Sequence, residues 1–457
     1  MMRFERSEAA PDSATLEKDS RISGHPGAFA ATQMTVYQRF KAIFAGSVGN
    51  LVQWYDWYIY SSTALYFAPV FFPKGDRTAQ LLQAAVVFFV GFLARPVGAW
   101  AMGRYGDQVG RKAALKLAVA MMACGSLAIA LSPGAAQIGM WASVVLVVAR
   151  VFQGLSLGGE YGASATYISE MAGKTYRGFW SSFNYVTLLG GNLVALSLLI
   201  LLQGTLTGAE MREYGWRIPF LVGAVLAIFA YWLRATMEES QSFAAAKAEG
   251  VKSGNIMTLI RQHPREALII MGLTAGGTLI FYIYTVYMQK FLTNTAGFTV
   301  QQSTRICAAA LFFFMLAQPL VGFLSDKFGR KLVLALSFAG GVVATYPILS
   351  SLAAKPSVTA AFALVLGGML LQTGYSATGS VVKAELFPTG VRTLGVGLPY
   401  AIANAIFGGS AETLALWFKS IGHETGFYIY ASVMLVFAFL VTMMLPDTRR
   451  TSRILED

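Results

Sequence analysis

Apolar residues along this chain come in twelve long blocks divided by short polar breaks. Each block is roughly 20 residues or longer, the length an α-helix needs to cross the hydrocarbon core of a bilayer. The blocks lie near 40–68, 79–102, 113–133, 139–168, 179–203, 215–234, 266–290, 303–324, 332–353, 358–386, 393–418 and 423–445. Residues 1–38 are polar, mixed in charge and without period, which reads as a disordered tail. They do not read as a cleaved leader, because the first apolar block begins too late and runs too long. The expected division is a six-helix bundle over 39–234, a polar connection over 235–265, a second six-helix bundle over 266–446 and a tail over 447–457. The fold class expected is an all-α membrane protein with twelve transmembrane helices.

Composition and charge sharpen this. Hydrophobic residues make up 55% of the chain and charged ones 13%, about half the charged share of an ordinary soluble domain. Of the 35 lysines and arginines, about 25 fall in breaks on the side of the two termini and about 8 on the other, which makes the termini cytoplasmic. Only Arg95 and Arg150 remain inside blocks by that count. The basic residues are spread over separate loops, so the net charge of +12 does not point to nucleic acid. Cys124 and Cys307 sit in apolar blocks and imply no disulfide framework. His25, His263 and His423 all lie away from block centres and supply neither a metal site nor a histidine proton relay. No GxxxxGK[ST] loop is present, which argues against ATP coupling.

The two halves repeat. Gly103-Arg-Tyr-Gly-Asp107-Gln-Val-Gly110-Arg111-Lys112 follows the second block, and Gly322-Phe-Leu-Ser-Asp326-Lys-Phe-Gly329-Arg330-Lys331 follows the eighth. Glu170, Arg177 and Tyr185 recur at identical spacing as Glu385, Arg392 and Tyr400. The bundles are therefore expected to be pseudo-symmetric. These loops, the arginine-led fourth block and the Glu-x6-Arg exits resemble the major facilitator superfamily over residues 40–447. Finer stretches are similar to its metabolite:proton symporter branch, which includes the α-ketoglutarate permeases. They are Gly49-Asn-Leu-Val-Gln-Trp-Tyr-Asp56, Arg95-Pro96, Gly158-Gly-Glu-Tyr-Gly162, Trp216-Arg-Ile-Pro-Phe220, Tyr287-Met-Gln-Lys-Phe-Leu-Thr-Asn-Thr-Ala-Gly297 and Asn404-Ala-Ile-Phe-Gly-Gly-Ser-Ala-Glu412. Gln53 departs from the glutamate common in those relatives, and no proton role is assigned to it.

Several residues are placed to carry chemistry. At about 100° per residue, Gly46, Gly49, Gln53, Asp56, Tyr60 and Thr63 share one face of the first helix, with Asp56 near mid-membrane. A buried carboxylate there is either a fixed structural partner or a protonatable group: burial disfavours its charge and a nearby cation favours it. Arg150 is the expected partner of Asp56, with Gln153, Glu160, Tyr161 and Ser164 on the same side of the fourth helix. In this superfamily a proton-linked pair on the first and fourth spans is familiar, which assigns coupling to Asp56, Arg150 and Glu160. Glu160 lies about 15 Å along the axis from Arg150. Arg95 either snorkels to the loop or binds an organic anion; its planar five-donor fork suits a carboxylate, and anion binding is the expectation. Tyr282, Gln289, Tyr400 and Asn404 lie on polar stripes of the second half and complete the expected binding set with Arg95, Arg150 and Gln153. Lys383, on another stripe, is placed near the cytoplasmic end as a gate or loop charge. The repeated loops supply an expected cytoplasmic gate from Asp107, Arg111, Glu170, Arg177, Asp326, Arg330, Glu385 and Arg392, through pairs such as Asp107–Arg177 and Asp326–Arg392.

The resemblance and the buried cations together imply a proton-coupled importer of a small carboxylate, α-ketoglutarate first, in the cytoplasmic membrane. Its partners would be the organic anion, protons and lipid; the chain would act as a monomer, without cofactor or nucleic acid. Citrate, shikimate, proline or betaine stand as other substrates. A membrane enzyme would need a nucleophile–base set or metal ligands, and a sensor an added soluble domain; the sequence offers neither.

Overall fold

In a computed structural model of the protein, the described residues are 36–236 and 256–448, apart from Gly110, Gly159 and Lys174, together with Ser452 and Ile454. The expected tail over 1–35, most of the connection (237–255) and the side chains of Asp107, Arg111, Glu160 and Glu170 lie outside the described residues.

Twelve helical spans follow one another. The first six are Val36–Phe71, Arg77–Val109, Arg111–Leu131, Trp141–Leu157 continued by Glu160–Met171, Arg177–Thr205 and Ile218–Thr236. A short helix, Ile256–Gln262, precedes the seventh span, which runs Pro264–Tyr282 and Met288–Asn294 around a π-helical turn, Ile283–Tyr287. The rest are Val300–Phe328, Arg330–Ala353, Val358–Leu371 continued by Thr373–Glu385, Thr389–Ala403 continued after a second π-helical turn (Asn404–Gly408) by Gly409–Ser420, and Glu424–Met444. We call the side where the first span begins and the twelfth ends the terminal face, and the opposite side the far face.

Lipid offers no hydrogen-bond partners, so each crossing segment closes its backbone bonds on itself as helix. Local chemistry sets the ends. Thr299 and Gln302 form a reciprocal capping box at the start of the eighth span. Gly329, at φ 97°, ends that span in a backbone conformation that other residues rarely adopt. Among the described residues nine helices are long and apolar enough to cross a membrane. The first span is not among them, because its tyrosines, tryptophans and polar residues lower its hydropathy; these turn inward, with Tyr55, Trp57, Tyr58, Tyr60 and Asp56 at most 1% exposed. Of those nine the seventh span is the most enclosed, with 83% of its apolar window buried, and the twelfth the least, with 33%. Outward-facing Val97, Leu320, Val343 and Leu440 are exposed, as expected of surface that meets lipid rather than water.

The small-residue face expected on the fourth span packs on the second. A Cβ added to Gly98 would run into the Leu155 backbone, one on Gly154 into the Gly91 carbonyl, and one on Gly158 into the Arg95 carbonyl. Main chains in contact along this seam carry Arg95 and Arg150 toward the same place. Gly98→Ala is expected to cost about 1–3 kcal/mol by overpacking, read as a lower melting temperature in detergent. Gly204→Ala, with nothing within 4 Å of the added methyl, should leave the melting temperature unchanged or raise it. Equal melting temperatures for both variants would mean that the seam has slack.

Candidate functional site

Two guanidinium groups meet the ring of Trp57, with Arg95 Cζ 3.9 Å and Arg150 Cζ 4.0 Å from its centroid. Phe92 (4.2 Å) and Trp54 (5.3 Å) offer further ring faces to Arg95, and Tyr60 (4.5 Å) and Phe88 (4.9 Å) to Arg150. Desolvated cation–π contacts are worth about 2 kcal/mol each, which lowers the cost of burying these cations without neutralising them. From Arg150 a chain of donors runs to the carboxylate. Arg150 Nη1 donates to Gln153 Oε1 (2.6 Å), Gln153 Nε2 to Ser126 Oγ (2.9 Å), and Ser126 Oγ to Asp56 Oδ1 (2.7 Å). All three bonds point from cation to anion, so each polarises the next. Asp56 Oδ2 and the Nε and Nη2 groups of Arg95 and Arg150 have no hydrogen-bond partner among the described residues.

Between the bundles lies a cavity lined by Asn50, Trp54, Arg95 and Tyr161 from the first half and Tyr400 and Asn404 from the second. Tyr161 and Tyr400 stack across the interface at 3.6 Å and 15°. Tyr282 meets Phe92 edge-on at 5.1 Å. Asn184 Nδ2 donates to Ser380 Oγ (2.9 Å), another bond between bundles.

Both faces are sealed. On the terminal face Asp326, at the end of the eighth span, accepts from the Gly178 and Phe179 amides (2.8 and 2.9 Å) at the start of the fifth. A carboxylate on a helix N-terminus meets free N–H groups and the positive dipole end. Arg330 pairs with Asp326 (2.9 Å) and Glu385 (3.5 Å), and Arg177 of the first bundle lies 3.9 Å from Glu385 of the second. On the far face Lys290 Nζ bonds Glu412 Oε1 (2.5 Å) and Ser61 Oγ (2.6 Å), and Ser61 Oγ donates to Glu412 Oε2 (3.2 Å). Asn294–Thr78 and Gln203–Thr304 bonds join the bundles beside it.

These positions correct several expectations. Arg95, Tyr400 and Asn404 line the cavity, and Tyr282 packs beside it. Arg150 and Gln153 lie behind Trp57 in the first bundle, and Arg150 reaches Asp56 through two intermediates rather than as a direct pair. Gln289 donates to Thr304 (2.8 Å) within the far seal, away from the cavity. Asp326 engages the fifth span and Arg330 instead of Arg392, which donates to the Phe387 carbonyl. Lys383 is no loop charge: it is 1% exposed and its Nζ donates to Tyr161 Oη at 3.1 Å. Lys290 is likewise buried, inside a span rather than in a break. Both lysines sit near the C-terminal ends of their helices, and because Cα–Cβ bonds tilt toward a helix N-terminus, their long stems reach back toward the centre. Ser126, a single hydroxyl within an apolar helix, gave no pattern by which to find it.

A family model described as sugar (and other) transporter matches residues 42–264 and 246–454. The chain is 50% identical over 432 residues to the alpha-ketoglutarate permease of Escherichia coli strain K12, covering 94% of this chain and 97% of that one. It is 32% identical over 380 residues to a citrate-proton symporter of Klebsiella pneumoniae, covering 82% and 85%. Among solved structures, the xylose transporter XylE from E. coli superposes with a TM-score of 0.74 at 18% identity, over 90% of this chain and 98% of that one. With its twelve spans in two bundles around a central cavity, this chain belongs to the sugar (and other) transporter family.

Proposed function

We propose that the protein is a proton-coupled symporter that imports a small dicarboxylate, α-ketoglutarate first, across the cytoplasmic membrane with both termini inside the cell. The observation that carries the reading is Arg95: a buried guanidinium on the wall of the inter-bundle cavity, with two nitrogen groups unpartnered among the described residues. A carboxylate fits that fork in the two-bond geometry that arginine prefers. The permease at 50% identity names the ligand. A zwitterion such as proline or betaine needs an acceptor for its cation, but Asp56 is turned away toward Ser126 and the described lining holds no carboxylate.

Coupling follows from the donor chain. While Arg150 is tied through Gln153 and Ser126 to Asp56, the donor chain favours the charged form of the carboxylate against the burial that opposes it. A substrate carboxylate held by Arg95 brings negative charge to the other guanidinium on Trp57, which offsets the pull of the cations on Asp56 and favours its taking a proton. Alternating access then opens one face while the other stays sealed.

Arg95→Lys is expected to weaken uptake of labelled α-ketoglutarate in proteoliposomes by ten- to hundred-fold, because a point ammonium replaces a planar fork. Wild-type affinity in Arg95→Ala would remove Arg95 from the site.

Asp56→Asn should abolish uphill uptake driven by an imposed pH gradient, yet preserve exchange of internal for external substrate. A mutant that still concentrates substrate against its gradient would place the coupling group elsewhere.

Asp326→Asn takes the charge off the start of the fifth span. Cysteines introduced at the terminal face are expected to label several-fold faster in this variant, as the seal opens more often. An unchanged rate would mean that Asp326 only shapes its loop.

A further inference from the structure

Lys383 has no part in the reading above, which assigns one carboxylate to Arg95 and leaves the other unheld. We infer that Lys383 is the second carboxylate anchor, supplied by the opposite bundle, and that it selects dicarboxylates over monocarboxylates. The inference rests on the proposed organic-anion transport.

The tenth span presents Lys383 to the bundle interface, 1% exposed. Its Nζ lies 4.3 Å from the Tyr400 ring centroid, 5.1 Å from that of Tyr161 and 5.4 Å from that of Tyr375. Its hydrogen-bond partner is a neutral phenol, Tyr161 Oη, on the other bundle. The described acids buried in the second bundle are engaged elsewhere: Asp326 with Arg330 and the fifth span, Glu385 with Arg330 and Arg177, and Glu412 with Lys290. A buried ammonium without a counter-ion is costly, and ring faces offset only part of that cost. An anion in place of the Tyr161 hydroxyl would complete the site.

The geometry relates Lys383 to Arg95. Tyr161 and Tyr400 line the cavity with Arg95, and the same two rings carry Lys383. One cation comes from the second span and the other from the tenth, so a ligand with an acid at each end ties the two bundles together across the tyrosine pair. A monoacid reaches one bundle only. Lys383 is thus a specificity-determining contact as well as a binding one.

The test uses the full chain in proteoliposomes. Unlabelled α-ketoglutarate, its 5-methyl ester and 2-oxobutyrate compete for labelled α-ketoglutarate uptake by wild type, Lys383→Gln and Lys383→Arg. Lys383→Gln is expected to lose ten- to hundred-fold in apparent affinity for the diacid, while affinities for the ester and the monoacid change less than about twofold; Lys383→Arg should keep part of the discrimination. An unchanged diacid-to-ester ratio in Lys383→Gln, or equal losses for all three ligands, would overturn the proposal. So would rescue of Lys383→Gln by Glu160→Gln, which would assign the lysine to a structural pair. Should Lys383→Gln not be recovered folded, Tyr161→Phe frees the ammonium: diacid affinity should rise relative to the ester, and a fall shared by both ligands overturns the assignment. Ligand-induced thermal shifts with mono-, di- and tricarboxylates form a separate arm. Loss of α-ketoglutarate uptake by the wild type would sink the transport reading, whereas the shifts still show whether Lys383 sets the number of acid groups preferred.

Discussion

Burying positive charge where no water can reach it is the constraint on which the rest of this structure depends. Arg95 and Arg150 share one indole, Trp57, and that arrangement dictates its surroundings. The rings of Trp54, Tyr60, Phe88 and Phe92 must face inward to offer their π-electrons. The second and fourth spans must touch main chain to main chain, which requires glycine at their contacts. The first span, which carries Trp57, must lie in the interior and can therefore carry polar and aromatic residues that a lipid-facing helix would not. A continuous line of cause joins two aromatic-rich helices and a glycine seam to two charges.

The architecture was legible because its signal is long-range and repeated. Twelve apolar blocks and a duplicated loop signature survive any local ambiguity. The three charges that interrupt block centres, Asp56, Arg95 and Arg150, stand out for the same reason: in lipid, a charge without purpose is too costly to keep. What sequence order hid is direction. Lys290 and Lys383 fall near the ends of blocks, where a charge is unremarkable, and only side-chain tilt shows that they point to the centre. Ser126 was hidden by chemistry, since a hydroxyl in a helix can bond its own backbone and usually signals nothing. The π-helical turns before Met288 and at Asn404 leave no periodicity mark either, although such turns gather at functional places in helices.

Substrate chemistry and conformational change meet at the tyrosine stack. Tyr161 and Tyr400 belong to different halves of the chain and bring the bundles into contact through neutral, flat surfaces. Such a contact can part and re-form without stripping water from an ion each time. Beside it Lys383 of the second bundle reaches across to the Tyr161 hydroxyl of the first, so a charged group at the stack meets the other bundle through a neutral partner.

The two seals differ in one respect that reaches beyond the protein's shape. At the far face the ammonium and carboxylate of Lys290 and Glu412 both belong to the second bundle, and only the Ser61 hydroxyl comes from the first. Opening there draws apart a hydroxyl and leaves an ion pair whole. At the terminal face Asp326 and Glu385 of one bundle hold the helix start and the arginine of the other, so opening separates unlike charges. Dissolved salt screens separated charges and has little grip on a pair that never parts. The protein therefore experiences the ionic strength of its two surroundings unequally: salt on the terminal side lengthens the time spent open to that side, and salt on the far side leaves the cycle almost untouched.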